Sequence, residues 1–530
     1  MTKGVIAAGD RETAAAGAEM LRAGGNAVDA AVAAAFVSFL AEAGIVHLGG
    51  SGLAQLYDAR SGLSRVYDFF SVVPGLGGPV PETIDFEKVT IDFGAATQSF
   101  YLGRGSVAVP GNIAGLCRLA ADYGRLPLGV LLEPALRLAR DGVALVAFQT
   151  DTCRLLAPLY THTDDIRRVF APQGRLIQPE ERLFIPDLAH TLAALAREGD
   201  SYARRGPLAQ ALLSDQAANG GLLTATDLEQ YEVLRPAPIR VAYRGYEVLL
   251  PPLCSAGGVL TAFTLKLLAA FDVAAQPHGS AAHLQLLAEA MAATTRARAV
   301  WDDLLDTLPG DEATARFLDD GFIAPYRDEM RAALAARRPS PIVTEPPGPT
   351  NTSHLSVIDG DGLCVGLTTT AGESAGYIVP GTGYIPNNML GEEDLHPKGF
   401  HSRPAGQRIP TMMAPVVVLE RGQPRLVVGS GGSIRIRSAI LQTLSNLLDY
   451  RLPLDKAVNL ARVHLDGEVL QCEAGYDARA VDELESLGYR VNRWPTRGIY
   501  FGGAHSVARD ADGRLYAAGD NRRGGATAEE

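Results

Sequence analysis

The apolar pattern at the amino-terminal end of the chain predicts a pair of helices. Small and apolar residues recur with helical spacing after Asp10, which can cap a helix that runs to about Ala23. Asn26 can cap a second helix, which runs through an alanine-rich stretch to about Ala43. The apolar run at 30–41 is too short to cross a bilayer, so we interpret it as a buried helix.

Short runs of strand-forming residues predict hairpins further along the chain. Residues 240–252 have the pattern of a strand pair. The runs Ser356–Ile358 and Cys364–Thr370 flank the turn sequence DGDG, which is typical of a hairpin. Val416–Leu419 and Arg425–Val428 flank ERGQP and predict a second hairpin.

The order of these elements favours an α+β fold. Residues from about 130 to 330 are mostly helical by period, and a further helix is predicted from about Ile434 to Leu448. A proline-rich linker, Arg337–Pro349, separates the helical region from the later hairpins. Because there is no regular strand–helix–strand alternation, mixed helix and sheet layers are expected rather than a doubly wound sheet.

Composition excludes several classes of protein. The 530-residue chain has a formal net charge of −12 and no basic block, so nucleic acid and anionic membranes are poor partners. Its five cysteines show no CxxC spacing, which argues against a disulfide framework or a zinc ribbon. The first residues contain no apolar segment followed by a cleavage site, so we expect no secretory signal and a cytoplasmic location.

Thr352 stands directly after the linker and before the first strand of the DGDG hairpin. Cleavage between Asn351 and Thr352 would leave an α-amine on the same residue as the hydroxyl, where it can act as the base. An α-amine has a pKa of about 7.7–8.0, which suits a general base near neutral pH. Alternatively, this is an ordinary linker followed by a strand that begins with threonine. On this stretch alone, this simpler interpretation is favoured.

Two other segments carry possible chemistry. The glycine turn Gly429–Ser433 lies between a strand and a helix, where backbone N–H groups can stabilise an oxyanion. Asn387 and Asn388 can donate hydrogen bonds, and the acidic run after them can hold an ammonium group. A tight turn and a solvated acidic loop are the simpler interpretations of these two segments.

Taken together and in order, six segments resemble the γ-glutamyltranspeptidase family. They cover nearly the whole chain and read AGGNAVDAAVA (23–33), VAVPGNIAGL (107–116), NTSHLSVIDGDG (351–362), VPGTGYIPNNML (379–390), VVGSGGSIRI (427–436) and FGGAHSV (501–507).

The resemblance implies an N-terminal-nucleophile hydrolase with a four-layer αββα sandwich. It implies a precursor that cuts itself between Asn351 and Thr352, giving a large subunit of residues 1–351 and a small subunit of residues 352–530 that stay packed as one unit. Thr352 matches the nucleophile and Thr370 the second threonine, which hydrogen-bonds the nucleophile.

The resemblance also implies the remaining parts of the reaction. Gly431 and Gly432, with Ser433 close by, match the turn that forms the oxyanion hole. The implied cycle is ping-pong: Thr352 takes an acyl group from an amide, and water or an amino acid then accepts it. It requires no metal or cofactor.

The substrate clamp departs from the family pattern. Phe69 or Phe70 stands where well-known members carry the arginine that holds the substrate α-carboxylate, and a phenyl ring does not replace a guanidinium. Arg104 is nearby in sequence and is a candidate substitute. The other expected substrate-binding residues are Glu373, Asn388, Glu392 for the α-ammonium group, Thr411 and Ser433.

Three functions follow from these observations. The first is a self-processing γ-glutamyltransferase or hydrolase that acts on a glutathione-like amide. The second is a related amide acylase, similar to cephalosporin acylase, with another donor. The third is an unprocessed, inactive scaffold that binds small amides.

Overall fold

A computed structural model describes residues 3–92, 97–341, 343, 352–396 and 398–530. Within these ranges the α-helices are α1 (Arg11–Arg22), α2 (Ala27–Ala41), α3 (Asn112–Tyr123), α4 (Leu128–Asp141), α5 (Ala147–Leu155), α6 (Ala157–Tyr160), α7 (Asp164–Phe170), α8 (Leu188–Glu198), α9 (Asp200–Arg204), α10 (Pro207–Ala218), α11 (Ala225–Gln230), α12 (Ala256–Leu268), α13 (Ala281–Thr307), α14 (Gly310–Phe317), α15 (Asp320–Ala336), α16 (Arg435–Leu448), α17 (Leu454–Asn459) and α18 (Ala478–Ser486).

The strands of the same ranges are β1 (Gly4–Ala8), β2 (Ser51–Asp58), β3 (Leu63–Phe69), β4 (Glu87–Asp92), β5 (Thr97–Leu102), β6 (Val143–Ala144), β7 (Arg182–Leu183), β8 (Ile239–Tyr243), β9 (Tyr246–Leu250), β10 (Ser353–Asp359), β11 (Leu363–Thr370), β12 (Val416–Glu420), β13 (Gln423–Val428), β14 (Val463–Asp466), β15 (Val469–Cys472), β16 (Arg490–Arg493), β17 (Ser506–Arg509), β18 (Leu515–Ala518) and β19 (Ala526–Glu529).

Two six-stranded sheets form the centre of the molecule. The first has the strand order β19-β1-β10-β11-β2-β3, and the second has the order β18-β17-β13-β12-β9-β8. Every pair of neighbouring strands within these two sheets is antiparallel. Hairpins and long crossovers therefore build both sheets, in agreement with the absence of strand–helix–strand alternation in the sequence.

Alternation of side chains along the strands produces four layers. Leu355 and Val357 of β10 pack with the apolar residues of α1 and α2 on the outer face of the first sheet. Ile358, of opposite parity, packs with Leu249 and Val427 of the second sheet. Helices α12, α13 and α16 cover the outer face of the second sheet. The arrangement is the αββα sandwich expected from the resemblance.

The amino-terminal helix pair is confirmed at its predicted caps. The Asp10 carboxylate accepts a hydrogen bond from the Glu12 amide (2.7 Å), and α1 ends before the glycine pair. Asn26 and Asp29 form a reciprocal capping box at the start of α2. All residues of α2 are buried, as a helix that is apolar on every side requires.

The predicted hairpins are also confirmed. β10 and β11 enclose the DGDG turn, where Gly362 has φ +85°, a conformation that glycine adopts readily. β12 and β13 enclose the ERG turn, and β8 and β9 form the strand pair at 239–250. Most of the proline-rich linker lies outside the described residues, which resume at Thr352. Among the described helices, none is both long and apolar enough to cross a membrane.

The cap of α2 gives a test of how the buried helix is anchored. The Asn26 side chain accepts from the amides of Val28 and Asp29 and donates to the Tyr123 carbonyl (2.7 Å). We expect Asn26→Ala to lower the free energy of unfolding by about 1–2 kcal/mol, which thermal unfolding measures as a lower Tm. Asp319→Ala removes the exposed cap of α15 and is the matched control. Equal losses in the two variants would contradict a special role for Asn26.

Candidate active site

Thr352 and Thr370 come together at one end of the β10–β11 hairpin. The register of the two strands pairs Ser353 with Thr369, so the next positions outward are Thr352 and Thr370. Both side chains line one cleft between the two sheets, and Thr352 is only 2% exposed. The strand pairing that the sequence predicted therefore places the candidate nucleophile beside the second threonine.

The side chain of Thr352 faces the space between the sheets because of its parity. Thr352 shares parity with His354 and Ile358, of which Ile358 packs between the sheets. Ser353 has the opposite parity, and its hydroxyl donates to the buried carboxylate of Glu42 at the end of α2. Alternation along β10 thus anchors one residue in the helical layer and presents its neighbour to the cleft.

The glycine turn of the second sheet lies directly against Thr352. A Cβ atom on Gly431 would lie 2.0 Å from the Thr352 carbonyl oxygen, so only glycine fits at this position. The same carbonyl oxygen accepts a hydrogen bond from Arg523 Nη1 at 3.2 Å. The turn and the arginine together fix the backbone at the start of β10.

The turn continues into the amino-terminal end of α16. Gly432 has φ +117° and Ser433 has φ +49°, both in the left-handed region. The first N–H groups of a helix have no partner inside the helix and carry partial positive charge. Gly431, Gly432 and Ser433 lie directly before this helix end, and their function as an oxyanion hole stays a prediction.

Three of the predicted substrate-binding residues form a layer behind Gly372. The Asn388 side-chain oxygen accepts from the Glu373 amide at 2.7 Å, so Asn388 holds the turn after Thr370. A Cβ on Gly372 would lie 2.2 Å from this oxygen and 2.8 Å from Glu392 Oε1. A side chain at position 372 would therefore collide with Asn388 in this chain.

Glu392 is a fully buried carboxyl group in this layer. Neither of its oxygens has a hydrogen-bond partner of normal geometry within the part of the chain that the structure describes. Burial, together with the neighbouring carboxyl groups of Asp394 and Glu373, raises the pKa of Glu392 well above its usual value. An ammonium group beside Gly372 would relieve this unfavourable environment.

Asp394, one of the acids that the sequence offered for an ammonium group, lies in the cleft itself, and its contact with Ser433 was not predicted. It lines the cleft, and its Oδ2 accepts a hydrogen bond from the Ser433 hydroxyl at 2.7 Å. Burial raises its pKa above the usual value. Because its partner is 39 residues away in sequence, no local pattern distinguishes it from the other acids of its loop.

The structure distinguishes the two phenylalanines between which the sequence could not choose. Phe70 lines the cleft, whereas Phe69 packs in the core against α3, where a Cβ on Gly115 would lie 2.1 Å from its ring. The rest of this wall is mainly apolar and consists of Met389, Leu395, Met412, Met413 and Ile436, with Thr411 among them. The Thr411 hydroxyl accepts from the Met413 amide at 3.2 Å.

Arg104 does not take the place of the clamp arginine. Its guanidinium group forms two 3.1 Å hydrogen bonds with the Asp215 carboxylate and stacks on the Tyr377 ring. It does not line the cleft. The sequence interpretation of Arg104 as a substrate-binding residue is therefore corrected. Arg408 lies closer to the Phe70 backbone, but it donates to the carbonyl oxygens of Phe70 and Glu232.

The predicted site residues therefore divide into three groups. Thr352, Thr370, Thr411 and Ser433 line the cleft, and Gly431 and Gly432 form the adjoining turn. Glu373, Asn388 and Glu392 form the layer behind the cleft wall, and Arg104 lies apart. Asn351 lies outside the described residues.

The layers and the position of Thr352 are those of an N-terminal-nucleophile enzyme, a class of amide hydrolases and acyl transferases. A solved structure with the same fold is a cephalosporin acylase from Bacillus halodurans, with a TM-score of 0.84 at 24% identity, covering 99% of this chain and 96% of the acylase.

The chain belongs to the γ-glutamyltranspeptidase family, whose model matches residues 13–529. A relative from Pseudomonas sp. strain V22, named acylase ACY 1 proenzyme, is 34% identical over 525 residues, 97% of this chain and 91% of the relative. The glutathione hydrolase proenzyme of Escherichia coli K12 is 29% identical over 544 residues, 98% of this chain and 90% of that protein.

Gly431 provides a direct test of the contact between the turn and β10. We expect Gly431→Ala to destabilise the protein by about 1–3 kcal/mol, since the methyl group overlaps the Thr352 carbonyl, and thermal unfolding measures the loss. Gly129→Ala is the control, because a Cβ added to that exposed glycine of α4 would lie 3.8 Å from its nearest neighbouring atom. A Tm for Gly431→Ala equal to that of the control would contradict the close approach.

Proposed function

We propose that the protein is a self-processing amide hydrolase and acyl transferase that uses Thr352 as its nucleophile. In the precursor, the Thr352 hydroxyl attacks the Asn351 carbonyl and the peptide nitrogen leaves, which gives an ester between the two residues. Water hydrolyses this ester, frees the Asn351 carboxylate and leaves Thr352 with an α-amine. The two chains are residues 1–351 and 352–530.

In the processed enzyme the α-amine of Thr352 is the proposed general base. It takes the hydroxyl proton while the oxygen attacks the substrate amide, and it returns that proton to the departing amine. The glycine turn stabilises the oxyanion of each tetrahedral intermediate. Water or an amine then attacks the acyl-threonine ester and releases the acid or a new amide.

The position of Thr352 supports this proposal. Thr352 directly precedes the central strand β10, lies beside Thr370 and lines the same cleft. Gly431 is in close contact with its carbonyl group. Relatives along nearly the whole chain are named proenzymes, which is consistent with cleavage of a precursor.

For the acyl donor, we favour an amide whose acyl group lacks the α-carboxylate of a γ-glutamyl group. The single observation behind this choice is Phe70 in the wall of the cleft, where the family pattern has an arginine. Met412 and Ile436 make this wall apolar, and a carboxylate placed there would lose hydration without gaining a partner. This proposal corresponds to the amide acylase interpretation of the sequence.

A γ-glutamyl donor such as glutathione is the second candidate. The buried carboxyl group of Glu392 behind Gly372 supports it, because the α-ammonium of a γ-glutamyl group would compensate a carboxylate there. Relatives named glutathione hydrolase are consistent with the same choice. The two candidates share Thr352 and differ in whether the α-carboxylate of the donor improves catalysis.

Self-cleavage is tested by intact mass under denaturing conditions. We expect two fragments from the wild-type chain, divided between positions 351 and 352, because Thr352 supplies the attacking hydroxyl. Thr352→Ala removes this hydroxyl and should remain one chain, whereas Thr352→Ser, the matched control, keeps a hydroxyl and should be cut. One intact chain in all three samples would favour the inactive scaffold.

The donor is tested with two p-nitroanilides that differ only in the α-carboxylate, the γ-glutamyl and the 4-aminobutyryl compounds. We expect the wild-type enzyme to have the higher kcat/KM for the 4-aminobutyryl donor, since Phe70 cannot pair with a carboxylate. Phe70→Arg should raise the kcat/KM for the γ-glutamyl donor by about tenfold, the size of a charge-assisted hydrogen bond.

Phe184→Arg is the control for this experiment, because it places the same charge on a phenylalanine that is 52% exposed at the surface. It should leave the ratio of the two donors unchanged. A wild-type preference of tenfold or more for the γ-glutamyl donor would establish the second candidate instead. The glutaryl compound, which lacks only the ammonium group, measures the contribution of Glu392 separately.

A further inference from the structure

The carboxylate of Asp394 connects the acidic loop to the glycine turn. Asp394 lies in a single 3-10 turn, Glu393–Leu395, and accepts the hydrogen bond of the Ser433 hydroxyl at 2.7 Å. Both residues line the cleft, and they are only 7% and 2% exposed. The bond is therefore shielded from water, which makes it stronger than the same bond at the surface.

The backbone of Ser433 needs such a partner. Its φ of +49° is left-handed, a conformation that residues with a Cβ adopt at a cost in energy. On its carboxyl side, its carbonyl oxygen accepts from the Ile436 amide at 3.0 Å, which commits the chain to α16. On its amino side lie the two glycines beside Thr352. A change in the Ser433 backbone would thus redirect the turn.

Charged side chains from several elements surround Asp394. Arg298 of α13 and Arg435 of α16 attract its carboxylate, while Glu392 lies close on its own loop. Its second oxygen, Oδ1, has no hydrogen-bond partner among the described residues. The side-chain hydrogen bond that the carboxylate accepts therefore comes from Ser433, the residue with the unfavourable backbone conformation.

We propose that Asp394 is a positioning residue that holds Ser433 in its left-handed conformation and so keeps the Gly431–Ser433 turn aimed at the substrate carbonyl. The role rests on the proposed function, in which this turn stabilises the oxyanion. Asp394 acts through Ser433 and not through a contact with the acyl donor. Its removal should therefore lower kcat and leave KM nearly unchanged.

A rescue experiment distinguishes this role from substrate binding. Asp394→Ala removes the hydrogen-bond acceptor, and we expect kcat to fall by about tenfold to a hundredfold. The upper value equals the smallest decrease in kcat that removal of an oxyanion-hole donor typically causes. Adding Ser433→Gly to Asp394→Ala should recover at least part of the loss, because glycine adopts a positive φ without help. Rates are measured per cleaved protein, counted by intact mass, with the donor that the wild-type enzyme prefers.

Controls keep the result interpretable. Asp306→Ala removes an exposed carboxylate that pairs with Lys398 next to the same loop, and it should change kcat less than about twofold. Ser433→Ala removes the same hydrogen bond from the other side. If Asp394→Ala fails to fold, a lower kcat with unchanged KM in Ser433→Ala still supports the proposal, and an unchanged kcat overturns it.

Two other outcomes would overturn the role of Asp394. One is a raised KM with unchanged kcat in Asp394→Ala, which would place the carboxylate in contact with the donor. The other is a double variant no faster than Asp394→Ala alone. Thr352→Ala separates these failures from failure of the proposed function, because turnover that survives in Thr352→Ala would overturn the nucleophile itself.

Discussion

The approach of the Gly431 backbone to the Thr352 carbonyl is the contact on which the candidate site depends. It joins the end of β13 in the second sheet to the start of β10 in the first. Backbones can approach this closely only where one of them carries no side chain. The two sheets, their helical layers and the hairpin register then act together to hold these two strand ends at a fixed separation.

Several ionisable groups are buried around the cleft. The Arg523 guanidinium beside Thr352 has its pKa lowered to about 10 by burial and by the nearby Arg435. The carboxyl groups of Glu373, Glu392 and Asp394 are also buried, and burial raises the pKa of Glu392 and Asp394. Charges removed from water are costly unless they are compensated. A charged group that enters the cleft therefore requires a compensating partner.

Local signals predicted much of this structure. Caps, turn glycines and alternation located the first two helices and the hairpins, and the resemblance then gave the layers and Thr352. Sequence could not choose between Phe69 and Phe70, because the choice depends on which ring the packing of α3 buries. Arg104 was misassigned because its partner Asp215 is 111 residues away. Asp394 was considered only as one of the acids that could hold an ammonium group, because its contact with Ser433 joins residues that are far apart in sequence.

The strand order has a consequence for the refolding of a chain that has been cut at position 351. In the first sheet, β1 lies between β10 and β19, and in the second, β9 pairs with β12. Each sheet thus contains strands from before and from after position 351, hydrogen-bonded to one another. The two pieces of a chain cut there would stay together through noncovalent contacts, namely strand pairing and shared apolar cores, but once unfolded they would have to meet by diffusion. Its refolding would depend on protein concentration, whereas the first folding of the intact chain would not.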